Sequence, residues 1–592
     1  MNIDIIMVSY NSRKYIEGCM NSILSSDYDL KKIGIYIYDN KSSDDTIEIF
    51  KKIKKENINK FRNFEIIEGK HNLGFGRGNN IAAKVAKGDY LFFLNIDCEI
   101  RKDTLSKIEE EIIKKKQENV GIFELKQEPY EHPKYYDPMS KETKWASGAC
   151  MIIPRKLFYK VGGFDKKIFM YCEDVEISFH IRKLGYKIIY LNDISITHYS
   201  YSRPYEFKKS QYVNSASNNL YLRFKYGKFK DIIKGYALAL LFLKQISDNK
   251  EIPNEQMLTI KKEAKHNVNK MFWLGVIEWF KRIKYLLNTN KVDFKFNGFE
   301  YSGVRDGAFY TKKEIKTNPL VSIIVRTCGR PNVLRETLIS IKNQTYKNIE
   351  VIIVEDGSNL AESLIKKEFK DLNIKYYSFE KNVGRCKAGN KALSMATGKY
   401  FNFLDDDDLF YDDHVEVLVS ELESSEEKVA YASSFETPII VHSKTPYKYT
   451  LLNEYVLLST DFNILKLLYA NITPIQCVMF SKEVYEKCGG FDEKLDALED
   501  WDLWIRYGLA YPFKFIKKTT SIYRVPGDTK EVEKRSKFLN SYLNDVRKKH
   551  KDAIAKVRMN DVMDFYNYIV TVSTSSAASR IEKIKRILKR GK

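Results

Sequence analysis

At 592 residues the chain is several times the usual domain length of roughly 100 to 200, and its 44% apolar content with 40 Tyr and 34 Phe excludes a disordered or fibrous class. Eight scattered cysteines, with no CxxC pair and no Cys/His cluster at zinc spacing, argue against a disulfide scaffold or zinc module and fit a reducing cytoplasm. The formal charge of +21 is spread over Lys-rich helical stretches such as 51–60 without an RNA-binding aromatic signature, so nucleic acid is not an expected partner.

In chain order, MNIDIIMVSYN reads as a strand entering a turn, with no basic region followed by an apolar signal core. A helical segment and the strand IGIYIYD follow, ending at Asp39 before the turn Asn40-Lys41-Ser42-Ser43. HNLGFGRGNN is a Gly-rich turn opening a helix, and GDYLFFLNID drives an apolar strand into Asp97. VGGFD precedes Glu173-Asp174, which begin the helix DVEISFHIRKLG, and His198 follows a strand-like run in SITHYS. Residues 205–318 lose strand periodicity and read as a helical connector.

The order then repeats. LVSIIVRTCGRP, VIIVEDGS ending near Asp356, KNVGRCKAGN, GKYFNFLDDDD and CGGFDEKLDALEDWDLWIRYG recapitulate the first half, with Glu499-Asp500 in the place of Glu173-Asp174. Val8 to Asp39 and Val325 to Asp356 both span 31 positions, and Asn72 to Asp97 and Asn382 to Asp407 both span 25. Each copy alternates β-branched and aromatic runs with amphipathic helices, which predicts an α/β fold with a mainly parallel sheet. The expected domains are therefore 1–204, a connector at 205–318, 319–530, and a basic helical extension at 531–592.

Ligands of open α/β sheets gather at the carboxyl ends of strands, so acids there are candidates. Asp39 and Asp356 can accept the N3–H of a uracil or thymine base, although an ordinary turn aspartate would look the same. Asp97 and the run Asp405, Asp406, Asp407, Asp408 emerge from apolar strands, where Mg²⁺ or Mn²⁺ holding a diphosphate would offset carboxylate repulsion. An exposed acidic turn explains Asp97 alone but explains four consecutive aspartates poorly. His198 is a further candidate ligand, or else a packed histidine. Glu173, Asp174, Glu499 and Asp500 either complement helix N-termini or supply a general base for an attacking hydroxyl. The GxGxG of NLGFGRGNN lies mid-domain and is not a dinucleotide fingerprint; its glycines let backbone approach a ligand, with Arg77 and Arg385 available to a phosphate.

Taken in order, VSYN, YDNKSSDDT, NLGFGRGNN, GDYLFFLNID, GGFD and ED, and in the second half VRTCGRP, VEDGS, NVGRCKAGN, LDDDD, GGFDE and LEDWDLWIR, resemble family 2 glycosyltransferases of the GT-A fold. The resemblance covers about 1–200 and 319–525. It implies inverting transfer, with Asp39, Asn72, Arg77, Asp356, Asn382 and Arg385 on the nucleotide sugar. It further implies Asp97, His198, Asp405 and Asp407 on a metal, and Asp174 and Asp500 as bases beside Glu173 and Glu499.

NLGFGRGNN and LNID are similar to rhamnosyltransferases using dTDP-L-rhamnose; a UDP-sugar is the other expected donor. Asn95 and YRVPGD depart from the family pattern. The implied acceptor is a cell-surface glycan, lipid-linked glycan or glycoprotein. Two active copies, one copy serving as an acceptor-holding scaffold, and a two-site polymerase are the competing arrangements. The tail at 579–592 has seven basic residues and one acid, with Ile581, Ile584 and Leu588 near one face; it suits either a solvated helix or peripheral contact with an anionic inner membrane face. The remaining helices are candidates for a homodimer contact.

Overall fold

The computed structural model describes residues 1–572 apart from 133, 205, 207, 249–251, 253, 287–303, 453 and 458. The basic tail at 579–592 lies outside the described residues. The chain divides between Val304 and Arg305 into two compact units.

The first unit is built on β1 (Ile3–Ser9), β2 (Ile33–Asp39), β3 (Asn63–Glu68), β4 (Tyr90–Leu94), β5 (Cys98–Ile100), β6 (Val120–Glu128), β7 (Cys150–Pro154) and β8 (Lys187–His198). They form one sheet in the order β3-β2-β1-β4-β7-β6-β8-β5. It is parallel from β3 to β4, with β7 and β5 antiparallel to their neighbours, so the sheet as a whole is mixed. IGIYIYD is buried along its whole length because helices cover both faces, which is why it reads as a continuous apolar run and not an alternating one.

The second unit repeats this arrangement with β9 (Val321–Thr327), β10 (Ile349–Glu355), β11 (Ile374–Ser378), β12 (Tyr400–Phe403), β13 (Leu409–Phe410), β14 (Val429–Lys444), β15 (Tyr447–Leu451), β16 (Tyr455–Leu457), β17 (Val478–Ser481) and β18 (Phe513–Pro526). The order β11-β10-β9-β12-β17-β14-β18-β13 matches the first sheet strand for strand, and β15 and β16 are additions paired to β14.

The segment read as a connector behaves differently at its two ends. Tyr221, Leu222 and Tyr226 of the helix Lys209–Tyr226 share a core with Ile168, Cys172, Val175 and Phe179, and Lys225 bonds Asp165 and Glu176 at 2.6 and 2.7 Å. Those helices therefore belong to the first unit. Arg305 and Asp306 instead bond Thr519 at 3.1 and 2.8 Å and belong to the second. After β18 the helix Thr529–Lys549 starts on Asp528, whose carboxylate caps Lys530 N, and its end is tied by Lys549 and His550 to buried Asp502, each at 2.8 Å. No helix among the described residues is long and apolar enough to cross a membrane.

Candidate active sites

Strand pairing fixes which residues of the two units are equivalent. Ile3 lies opposite Tyr90 and Val321 opposite Tyr400, so Asn95, Ile96, Asp97 and Cys98 correspond to Asp405, Asp406, Asp407 and Asp408. Cys98 pairs with His198 and Leu409 with Ile522, which puts Tyr523 in the position of His198. Ser9 pairs with Asp39, whereas Thr327 pairs with Glu355. Asp39 is therefore the counterpart of Glu355, and Asp356 the counterpart of Asn40. The equal spacing in the sequence concealed a one-residue slip, because the connection from β1 to β2 differs in length from that between β9 and β10.

The slip is visible in the bonding. Asp39 is buried and accepts from Ser9 Oγ at 2.8 Å, Ser42 N at 2.8 Å and Ser42 Oγ at 2.6 Å, so it closes its own turn. Asn40 accepts from Leu73 N at 2.9 Å, and Asp356 accepts from Val383 N at 2.6 Å and Gly384 N at 3.0 Å. Both hold the Gly-containing turn that opens the next helix. Asn72 caps the same turn through Gly74 N at 2.9 Å, while Asn382 Nδ2 reaches Cys328 Sγ at 3.4 Å.

With Gly74 and Gly384 as equivalent N-caps, Arg385 matches Phe75 rather than Arg77. Arg77 bonds the Lys166 carbonyl, an exposed contact, whereas Arg385 lines the second unit's cavity. The two arginines are thus not the same device.

In the first unit Asp97 and His198 do meet, with Oδ1 and Nε2 3.4 Å apart. His198 Nδ1 donates to Gln127 Oε1 at 2.6 Å, which aims Nε2 at the carboxylate. Two electron-rich atoms so placed suit a bound cation or a shared proton. Cys98 completes a cluster of potential ligands by position, but its thiol donates to the Ala149 carbonyl inside the core. Burial tends to raise the Asp97 carboxyl, and the hydrogen bond and charge of His198 outweigh it, so the group stays below its usual range. Burial lowers the Lys208 ammonium, which Asp97 partly restores.

Asp174 sits at the start of the helix Glu173–Lys183, after Tyr171 and Cys172 in left-handed backbone with φ of 67° and 71°. Gly148 N and Val175 N donate to it at 2.9 and 2.8 Å. Burial raises its carboxyl, and burial with the charge of Asp174 raises Glu173 much further. Glu173 is 4% exposed, and its Oε2 has no hydrogen-bond partner among the described residues. Burial first, then the charges of Glu173, Asp97 and Asp174, raise the Tyr171 phenol against its hydrogen bond with Ser210 Oγ at 3.1 Å.

The second unit gathers its candidates other than Asn382 on one cavity of about 480 Å³, lined by Asp356, Arg385, Asp405 to Asp408, Glu499 and Asp500. Asp500 follows Leu498, whose φ is 58°, and accepts from Trp501 N at 2.8 Å and Asn471 Nδ2 at 2.9 Å. Burial, then the charge of Glu499, pushes Asp500 up to about 6.

The four consecutive aspartates do not converge as a metal shell. Asp405 is gripped by both ends of the Arg326 guanidinium at 2.9 and 2.8 Å, and the same arginine reaches Glu499 at 3.0 Å. Asp406 takes Arg330 on both oxygens and Thr327 Oγ1 at 2.7 Å, and Asp407 takes Arg330 Nη1 at 3.2 Å. Asp408 turns inward to Arg524 N at 2.8 Å. Burial and the neighbouring Asp407 push Asp406 up to about 7 and Asp408 well above the usual range. Asp405 and Asp407, both expected on a metal, are each met by a guanidinium in this structure.

Reading the sequence passed over Gln127 and Lys208 in the first unit, and Arg326, Arg330, Asn471, Tyr523, Arg524 and Arg535 in the second. The two arginines within VRTCGRP, ahead of an LDDDD run in the same copy, were the available signal for Arg326 and Arg330.

The model of Glycosyl transferase family 2 matches residues 4–176 and 322–489. The chain belongs to that family. Each unit is thus a family 2 domain of the α/β GT-A type, and the duplicated motifs are two copies of it. Among curated relatives, an uncharacterized glycosyltransferase of Rickettsia conorii is 25% identical over 448 residues, 72% of this chain and 64% of its own length. The chain thus spans about two thirds of that relative. An uncharacterized glycosyltransferase of Methanocaldococcus jannaschii is 31% identical over 219 residues, 35% of this chain and 71% of the relative.

Among solved structures, the mannosyltransferase PcManGT of Pyrobaculum calidifontis, in complex with GDP-Man and Mn²⁺, is 17% identical, covering 47% of this chain and 87% of its own with a TM-score of 0.32. S. aureus TarS 1-349 with UDP-GlcNAc is also 17% identical, covering 48% and 92% with a TM-score of 0.30.

Proposed function

We propose that this family 2 glycosyltransferase is bifunctional, each unit moving a sugar from a nucleoside diphosphate donor to a hydroxyl of a cell-surface glycan, lipid-linked glycan or glycoprotein with inversion. The observation that carries this reading is the recurrence of one carboxylate, Asp174 or Asp500, at the first turn of equivalent helices after left-handed backbone. In the second unit that carboxylate shares a cavity with Asp356, Asp407 and Arg385. An aspartate raised to about 6 is matched to take a proton from an attacking hydroxyl near neutrality. As the acceptor oxygen bonds to the anomeric carbon, the bond from that carbon to the diphosphate oxygen breaks, and the proton passes to the aspartate.

In the first unit Asp97 and His198 are the residues that would hold Mg²⁺ or Mn²⁺, which would neutralise the departing diphosphate. The Lys208 ammonium adds positive charge that acts on Asp97. The donor we favour for this unit is dTDP-L-rhamnose, supported by NLGFGRGNN and LNID, with a UDP-sugar as the alternative. Action at the inner face of the plasma membrane is supported by exposed Phe229, Trp273 and Phe280 beside Lys230 and Lys281, which suit an interfacial contact. Two sites in one chain raise the local concentration of the intermediate for the second transfer.

A second reading, in which the second unit only holds the acceptor, is favoured by Tyr523 at the position of His198 and by the arginines on its acids. A panel of dTDP-, UDP- and GDP-sugars with Mg²⁺ or Mn²⁺, applied to the protein and to Asp174→Asn and Asp500→Asn, separates them. Two distinct lost transfers support two enzymes, one silent substitution supports the holding role, and no turnover of any donor removes the transferase reading.

A further inference from the structure

We propose that the second unit binds the donor diphosphate through guanidinium groups, chiefly Arg330 and Arg385, in place of a divalent cation, so that the two units of one chain differ in their need for metal. This rests on the transferase reading above. The comparison that supports it is internal to the molecule. The helices Arg13–Leu24 and Pro331–Lys342 start at equivalent places, so their N-caps Ser12 and Arg330 correspond, and by the β1 and β9 register Val8 corresponds to Arg326. Two neutral residues of the first unit are thus cations in the second, while the imidazole of His198 gives way to the phenol of Tyr523.

The consequence is geometric. Asp97 faces His198 Nε2 at 3.4 Å, a carboxylate and an imidazole placed as a divalent cation takes its ligands. Its counterpart Asp407 faces Arg330 Nη1 at 3.2 Å, and the same guanidinium also spans Asp406. Arg330 therefore bridges two adjacent carboxylates as a bound ion would, and at 48% exposure it keeps N–H groups toward the cavity. Arg385 stands 3.7 Å from Glu499, beyond hydrogen-bond length, is 54% exposed, and opens a helix whose first-turn amides add to the positive field. Arg326, which is 7% exposed, is spent on Asp405 and Glu499 and is not offered to ligand. Among the described residues, the cluster suited to a metal ion is Asp97, Cys98 and His198, in the first unit.

The test is equilibrium binding of UDP and dTDP to the full chain carrying Asp97→Ala and His198→Ala, first in EDTA and then in Mn²⁺. The expected result is binding in EDTA that Mn²⁺ does not strengthen, and that Arg385→Gln or Arg330→Gln weakens about tenfold or more, as losing a charge-assisted phosphate contact should. Both arginines are substantially exposed, and far-ultraviolet circular dichroism with a thermal melt checks that each variant folds. Binding that requires Mn²⁺, or binding in EDTA indifferent to both substitutions, overturns this inference and leaves the transferase reading intact. Absence of binding under every condition likewise overturns this inference and favours the acceptor-holding role of the second unit, with the transferase reading left to the donor panel above.

Discussion

The two units share one strand order and one placement of the Glu-Asp pair, yet they balance charge at the site in different ways. In the first, Glu173 is buried with an oxygen that has no partner among the described residues, and Asp97 is met by His198. In the second, Arg326 ties Glu499 to Asp405, and Arg330 ties Asp406 to Asp407. The positions that changed lie at strand ends and helix caps, where a side chain can be exchanged without disturbing the sheet. A duplicated fold can thus keep its frame while its electrostatics diverge, because the frame is set by apolar strands and the charge balance by a handful of terminal residues.

The sharpest way to break the comparison is to remove the two proposed bases one at a time. Asp174→Asn and Asp500→Asn should each lower kcat of a single transfer by about 10²- to 10⁴-fold, the usual contribution of a general base, with little change in KM for donor. Product analysis with each variant would show two different truncated products if both units work. One variant with unchanged products would assign its unit a binding role. The second unit's step should also depend on pH through Asp500, whose carboxyl is pushed up to about 6 by burial and Glu499. Its rate should rise as pH passes upward through that value, because only the deprotonated form accepts a proton. Stability runs the other way: a carboxyl raised in the folded state favours folding below its unfolded value near 4 and loses that contribution as pH rises through about 6.

Arg326→Leu should be the next largest effect. Leaving Glu499 buried without its partner typically costs about 3–5 kcal/mol, so the second unit should melt earlier while the first keeps its transition. Calorimetry resolving two transitions would show it. A single unshifted transition would mean that Arg385, 3.7 Å from Glu499, takes over.

The fold was legible because burial on both faces turned strands into continuous apolar runs and because the motifs recurred in order. The equivalent placement of Glu173-Asp174 and Glu499-Asp500 was legible for the same reason, since both pairs follow the same Gly-Gly-Phe-Asp turn. What misled was counting. Equal spacing from Val8 to Asp39 and from Val325 to Asp356 aligned residues that the ladders separate by one position, since a sequence interval sums loops whose lengths differ. Arg77 and Arg385 were equated inside a Gly-rich string, although the caps Gly74 and Gly384 set the true register. The pairing of Arg326 and Arg330 with the aspartates was hidden because it joins residues 76 to 79 positions apart, and only the adjacency of β9 and β12 brings them together.

Smaller effects sharpen the difference in metal use. Gln127→Leu leaves every proposed ligand in place but frees the His198 ring, whose Nδ1 it holds at 2.6 Å. Losing such an outer partner commonly weakens metal affinity about 10- to 100-fold. The Mn²⁺ concentration giving half-maximal rate should rise for the first transfer and stay fixed for the second.

The smallest expected difference tests the two Gly turns. Gly74 and Gly384 have φ of 82° and 94° in backbone open essentially to glycine, so alanine at either should cost about 1–3 kcal/mol from strain. A methyl on Gly384 meets nothing within 4 Å, whereas one on Gly74 would overlap the Phe169 carbonyl, which already accepts from Phe75 N at 2.9 Å. Gly74→Ala should therefore destabilise more than Gly384→Ala and should also weaken the first transfer, because Phe169 leads into the strained Tyr171-Cys172 pair that sets Asp174. Equal urea midpoints for the two variants would show that the backbone at Phe169 yields, and that Asp174 is held by the Gly148 and Val175 amides alone.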